Sequence, residues 1–182
     1  ECGGQTANVI PSPVARGGVV YCLSGYRGAA AGAIQLDDAR GDLTGTPKVL
    51  WKLDRGTPYV PSPVLYGERL YFTQTNSAIL SAVEVRAGKV LIDRARLEGL
   101  DDLYASPVGA AGRVYFAGRD GTTVVIRDGD QLEILATNRL DDPIDASPAI
   151  AGRQIFIRGR RHLYAFEEGA GRGGGSAETS GR

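Results

Sequence analysis

The sequence predicts an all-β fold, a β-propeller of four-stranded antiparallel blades, about four of them in this chain. Three observations predict it. A Ser-Pro dipeptide is followed, eight residues after its proline, by an aromatic in a short apolar run, and this occurs four times: Pro13 to Tyr21, Pro63 to Tyr71, Pro107 to Tyr115 and Pro148 to Phe156. The copies stand 50, 44 and 41 residues apart, the size of one blade, with glycine four or five residues after each proline. The 26 glycines and nine prolines among 182 residues supply the punctuation of many tight turns and disfavour helix.

The third unit gives the order of elements. Ser106-Pro107-Val108-Gly109 reads as a first strand, Ala111-Gly112-Arg113 as a turn, and Val114–Ala117 as an antiparallel second strand. Gly118–Gly121 reads as another turn and Thr123–Ile126 as a third strand. Asp128-Gly129 follows as a hairpin turn, then Gln131–Thr137 as a fourth strand alternating Leu132, Ile134 and Ala136 with polar neighbours. The second unit supplies strands two to four at Leu70–Thr73, Ile79–Val83 and Val90–Ile92. In the first, Gly25–Gly32 and Arg40–Pro47 lengthen two loops before Val49-Leu50-Trp51 forms the outer strand.

The fourth unit stops after Leu163–Phe166 without a fourth strand. Residues 1–167 are expected to form the blades, and 168–182, Gly/Ser-rich and without periodicity, a disordered tail. Gln5–Ile10 precedes its Ser-Pro as Asp54–Val60 precedes the next, and so reads as the end of an outer strand of a preceding blade. Either it closes a four-bladed ring, or the chain is the C-terminal part of a larger propeller and lacks blades of its own. The second reading is preferred, because the chain opens on Glu1 and contains no methionine. An open propeller exposes strand edges and an apolar blade face, which predicts self-association unless the ring closes.

Charge excludes some partners. The 21 basic and 21 acidic side chains balance, without long runs of either sign, so neither nucleic acid nor an anionic membrane is expected to bind. No apolar stretch has the roughly 18 residues needed to span a bilayer. Cys22 takes the place of Phe72, Phe116 and Ile157 and reads as a small buried apolar residue, while Cys2 has no counterpart. A disulfide between them is an open alternative, and their spacing suits neither zinc nor a redox pair.

The pattern Ser-Pro-Val-x-x-x-Gly-x-Val-Tyr-Phe, with runs such as Leu80-Ser81-Ala82-Val83-Glu84 and then Ala87-Gly88-Lys89-Val90, resembles the PQQ-type (quinoprotein-like) propeller repeat over residues 9–167. In that family a fourth-strand tryptophan packs against the neighbouring blade; Trp51 matches it, with Ile92 and Leu135 at the equivalent positions of the next two units. The resemblance implies one of two kinds of function. Cofactor-free, BamB-like members bind partner proteins in the periplasm or cell envelope. Quinoprotein dehydrogenases bind PQQ with calcium, using an adjacent cysteine pair. This chain has no Cys-Cys dipeptide, so no cofactor is expected, and PQQ with calcium belongs to the alternative in which the catalytic blades are missing.

Single residues that invite a catalytic reading have plainer explanations. Ser12, Ser62, Ser106 and Ser147 share one slot before proline and begin strands. His162, the sole histidine, sits in a loop beside Arg160 and Arg161 and cannot build a multi-histidine site. Asp101-Asp102 and Asp141-Asp142 occupy matching loops and read as turn residues. Arg40-Gly41-Asp42 is a chance tripeptide, and the glycine runs lack the context of a phosphate loop.

Strand topology nevertheless places a candidate surface. The loops entering each first strand and those joining strands two and three emerge on one face. That face is expected to carry Tyr26, Arg27, Arg55, Tyr59, Asn76, Asp102, Tyr104, Arg119, Asp120, Asp142, Asp145, Arg160 and Arg161, a mixture suited to a protein or peptide partner.

Overall fold

The computed structural model describes residues 1–167; the expected tail, 168–182, lies outside the described residues. Four antiparallel sheets follow one another along the chain, in strand order within each sheet. Blade 1 comprises β1 (Val14–Arg16), β2 (Val19–Ser24), β3 (Ala30–Gln35) and β4 (Val49–Leu53). Blade 2 comprises β5 (Val64–Tyr66), β6 (Arg69–Thr73), β7 (Ile79–Glu84) and β8 (Val90–Arg96). Blade 3 comprises β9 (Val108–Ala110), β10 (Arg113–Ala117), β11 (Thr122–Arg127) and β12 (Ile134–Arg139). Among the described residues, blade 4 comprises β13 (Ala149–Ala151), β14 (Gln154–Arg158) and β15 (Leu163–Glu167).

The repeat is a register device. Proline holds the preceding serine extended and starts a short first strand. The turn that follows places glycine at positive φ, as at Gly17 (+58°), Gly67 (+54°) and Gly112 (+71°), which a two-residue hairpin requires. The residue after each proline then pairs with the aromatic: Val14 with Tyr21, Val64 with Tyr71, Val108 with Tyr115, Ala149 with Phe156. First strands of successive blades adjoin one another, so they line the axis. There the Ser12 amide donates to Ser62 Oγ, Ser62 to Ser106 and Ser106 to Ser147, each at 2.9 Å.

Apolar side chains fill the spaces between blades. Tyr21, Leu23 and Trp51 meet Leu70, Phe72 and Val83 between blades 1 and 2. Tyr71, Leu80 and Ile92 meet Val114, Phe116, Val124 and Ile126 between blades 2 and 3. The third cluster is smaller, built on Ala105, Ala117, Ile144 and Ile157. Trp51 lies against Gly88, where a Cβ would come 2.5 Å from its Cγ, and its indole N–H donates to the Val85 carbonyl at 2.8 Å. The Tyr66 ring lies likewise against Gly109, and its hydroxyl accepts the Gly112 amide at 2.7 Å.

On the turn face, blades 2 and 3 are clasped by polar groups. Arg69 pairs with Asp128 (3.2 Å) and Asp130 (2.6 Å), while the Tyr71 hydroxyl donates to Asp128 Oδ1 at 2.6 Å and accepts the Gly129 amide at 2.9 Å. Burial, with the hydrogen bond to Asp128, pushes the Tyr71 phenol well above its ordinary pKa. Tyr71→Phe is expected to cost about 1–2 kcal/mol in urea unfolding, since it strands the Gly129 amide while leaving the ring packed. No measurable change would contradict the clasp.

Several expectations need correction. The fourth strand of blade 3 begins at Ile134, not Gln131, and Asp128-Gly129 is not a two-residue hairpin turn. Asp128 and Asp130 are held by Arg69 and Tyr71, and Leu132 packs on the core between blades 2 and 3, so the segment serves the neighbouring blade. Blades 1, 2 and 3 carry a bulge at the same place, Ala33/Ile34, Ala82/Val83 and Val125/Ile126, and the register beside it makes Ala136, not Leu135, the counterpart of Trp51 and Ile92: Trp51 pairs with Ala33, Ile92 with Ala82, and Ala136 with Val125. The loop read as Gly25–Gly32 ends at Ala29, and Gly32 sits in β3 opposite Cys22. Cys22 is half-buried rather than buried, because among the described residues no blade lies against its face of blade 1; both cysteines are free.

Gln5–Ile10 contains no strand. Its counterparts are loops too, since β4 ends at Leu53 and β5 begins at Val64. Among the described residues, hydrogen bonds from residues 1–12 to other parts of the chain run to blades 1 and 2, including Thr44, Ser24, Tyr59 and Ser62, and the pairing that would close a four-bladed ring is not formed.

Candidate functional site

The face carrying the loops into β1, β5, β9 and β13 and the loops between second and third strands divides into two exposed clusters and a set of inward-turned residues. The first cluster bridges blades 1 and 2. The β2–β3 loop brings Tyr26 onto Tyr59 of the β4–β5 loop, rings stacked with centroids 4.8 Å apart. Arg27, held at φ +52°, places its guanidinium 5.2 Å from the Tyr26 centroid. Asn8 Nδ2 donates to the Tyr59 hydroxyl at 3.1 Å. Sequence reasoning missed Asn8; its one signal is an asparagine, a residue that tolerates the left-handed conformation it adopts here.

The second cluster spans blades 3 and 4. Arg119, in the β10–β11 loop, lies 4.2 Å from the Tyr104 centroid, donates to Asp145 at 2.7 Å and reaches Asp102 at 3.3 Å. Arg160, in the β14–β15 loop, donates to the other oxygen of Asp145 at 3.1 Å. Four loops of this face, β8–β9, β10–β11, β12–β13 and β14–β15, are thus tied by alternating charge. The Arg119 hydrogen bond chiefly, with help from Arg160, holds the Asp145 carboxyl below the usual range against partial desolvation.

The remaining expected residues do not join these clusters. Asp142 is buried and accepts the amides of Arg161 (3.0 Å) and His162 (2.9 Å) and the Tyr164 hydroxyl (3.2 Å), so it shapes the β14–β15 loop from within. Desolvation raises its pKa, and those hydrogen bonds with the Arg161 charge outweigh that, leaving it below the ordinary value. Asp120 caps its own turn through the Thr122 amide (3.0 Å) and hydroxyl (2.8 Å). Asn76 Oδ1 accepts the Val60 amide at 3.1 Å. Arg55 pairs with Asp93 at 3.3 Å beside the outer strand of blade 2, and Arg161 pairs with Asp141 at 3.4 Å.

Two aromatic platforms, one beside Arg27 and the other flanked by Arg119, Arg160, Asp102 and Asp145 fixed by one another, suit contact with polypeptide: stacking and cation–π contacts at the tyrosines, hydrogen bonds at the rim. The quinone–calcium arrangement is a different chemistry. It needs converging ligands and an adjacent cysteine pair, whereas no three His, Cys, Asp or Glu side chains converge among the described residues, and the cysteines stand at positions 2 and 22. The residues present do not fit that group. No helix of the structure is long and apolar enough to cross a membrane.

A PQQ-repeat family model, described as outer membrane protein assembly factor BamB, matches residues 2–173. No curated protein matches the sequence significantly. Among solved structures, BamB from Moraxella catarrhalis is similar with TM-score 0.61 at 18% identity, covering 87% of this chain and 44% of that one. The computationally designed Ika4 protein is similar with TM-score 0.64 at 14% identity, covering 91% of this chain and 93% of that one. A europium-containing methanol dehydrogenase gives TM-score 0.50 at 13% identity, over 70% of this chain and 24% of that one. At these identities the likeness is one of fold, and the chain spans less than half of the Moraxella protein.

Proposed function

The chain belongs to the PQQ-repeat propeller family described as outer membrane protein assembly factor BamB, and from that membership we propose that it is a non-enzymatic scaffold whose loop face holds a protein or peptide partner outside the cytoplasm. The observation that carries the reading is the pair of aromatic platforms, Tyr26 on Tyr59 and Arg119 over Tyr104, each spanning loops from different blades. Aromatic and arginine side chains presented by a rigid frame are the usual energetic centres of protein contacts. The frame is rigid because the loops sit on stacked sheets whose apolar faces are buried between blades. The family's description supports a cell-envelope location and a polypeptide partner.

The test is selection of a displayed random peptide library on the immobilised chain, followed by rebinding to Tyr59→Ala and Tyr104→Ala. Enrichment is expected on the parent chain, with binding reduced at least roughly tenfold by either substitution while circular dichroism is unchanged. Equal capture by the substituted chains would refute the assignment of the face. Titration with PQQ and calcium is expected to leave the absorbance of the quinone unshifted.

A further inference from the structure

We propose that Cys2 and Cys22 close a disulfide that pins residues 2–6 to blade 1 and braces the first aromatic cluster. The two thiols adjoin one face of that blade. Tyr21 and Leu23 turn toward blade 2, so the alternation of β2 sends Cys22 to the opposite side, where its partner across the sheet is Gly32. A glycine there puts no side chain beside the thiol. Cys2 reaches the same place from outside the blade, since residues 2–5 lie against Gly32, Ile34 and Lys52 across a crevice of about 30 Å³, room for a water or two. Both cysteines are half-buried and so open to a small oxidant.

The segment is held on both sides of Cys2 before any bond forms. The Leu43 amide donates to the Glu1 carbonyl and the Gly3 amide to Thr44 Oγ1, each at 2.8 Å, while Gln5 Nε2 donates to the Cys22 carbonyl at 3.5 Å and the Thr6 amide to Ser24 Oγ at 2.9 Å. Residues 5 and 6 therefore follow β2 past Cys22, and little chain freedom is lost on closure. Burial chiefly, and after it the charge of Cys2, raises the pKa of the Cys22 thiol, which sets the two sulfur atoms within electrostatic reach of each other.

The same segment leads into the loop face. Thr6 lies against Gly28 of the β2–β3 loop, where a Cβ would come 3.1 Å from its Cγ2, and Asn8 donates to the Tyr59 hydroxyl. Tyr26 and Arg27 belong to that loop, so the bond steadies the stacked tyrosines from behind. This bracing rests on the loop face being the binding face; the bond itself does not.

Closure is a two-electron oxidation. The thiolate of one cysteine attacks oxidised glutathione and releases one glutathione thiolate, then the thiolate of the other attacks the mixed disulfide and releases the second. The chain loses two protons and two electrons, and the oxidant becomes two thiols. In the cell this needs the oxidising compartment proposed above.

The purified chain, reduced and then incubated at about pH 8 with oxidised glutathione, should lose both titratable thiols and about 2 Da of mass while remaining a single chain. A non-reducing peptide map should join the peptide carrying Cys2 to the one carrying Cys22. Oxidation should raise Tm by roughly 5 °C or more and slow amide exchange at Gly3 and Thr6 at least roughly tenfold, and Cys2→Ser should show neither change. Persisting thiols, stable glutathione adducts at both positions, or covalent pairs of chains would each overturn the bond without touching the reading of the loop face. Capture of a selected peptide should weaken several-fold when the bond is reduced; unchanged capture would overturn the bracing.

Discussion

Replacing Trp51 with alanine is expected to remove roughly 3–5 kcal/mol of stability. Against a total of about 5–15 kcal/mol for a domain, that is roughly a fifth of the stability or more. The cause is local. The indole fills the space between blades 1 and 2, lies flat on Gly88, and donates to the Val85 carbonyl at 2.8 Å, so alanine opens a cavity and orphans a buried acceptor together. Gly88→Ala should act in the same direction by the opposite means. It puts a Cβ 2.5 Å from Trp51 Cγ at a backbone φ of +66°, a region unfavourable to any side chain. Chemical unfolding followed by far-UV circular dichroism measures both, and a cost for Trp51→Ala below about 1 kcal/mol would show that the blades are not held by this contact.

Asp142→Asn is expected to free blade 4 selectively and to flatten part of the acid limb of the stability curve. The folded carboxyl sits below its ordinary pKa, so its contribution is present above about pH 4 and is lost as pH falls through the depressed folded value. An amide in its place offers one acceptor where the carboxylate serves the Arg161 and His162 amides, the Tyr164 hydroxyl and the Arg161 guanidinium, and it points an N–H at donors. Asp145, Glu84 and Glu133 are depressed too, so a residual limb remains in the variant. Hydrogen exchange should quicken across β14 and β15 while β6, β7, β10 and β11 keep their protection. Uniform acceleration, or an unchanged acid limb, would contradict this account of Asp142.

Much of the frame could be read from the sequence because it is written in residues with single uses. Proline starts each first strand, glycine at positive φ turns the hairpin, and the aromatic eight residues on falls opposite the strand's first residue in all four blades. What escaped depends on neighbours the sequence cannot place. The tryptophan position of blade 3 falls on Ala136, opposite Val125, and only the register reveals it. Asp102 and Asp142 stand in matching Asp-Asp pairs, yet one lies at the surface beside Arg119 and the other turns inward under a loop. The clasp of Arg69 and Tyr71 on Asp128 joins residues nearly sixty positions apart, with nothing local to announce it. Of the candidate face, the residue types were legible and their grouping was not.

The most direct test of the loop face is to map amide chemical shifts of the isotope-labelled chain as a selected peptide is added. The account predicts perturbations concentrated at Tyr26, Arg27, Tyr59, Tyr104 and Arg119, with the turn face around Arg69, Gly112 and Asp128 silent. Shifts confined to that turn face, with Tyr59 and Tyr104 unmoved, would contradict it.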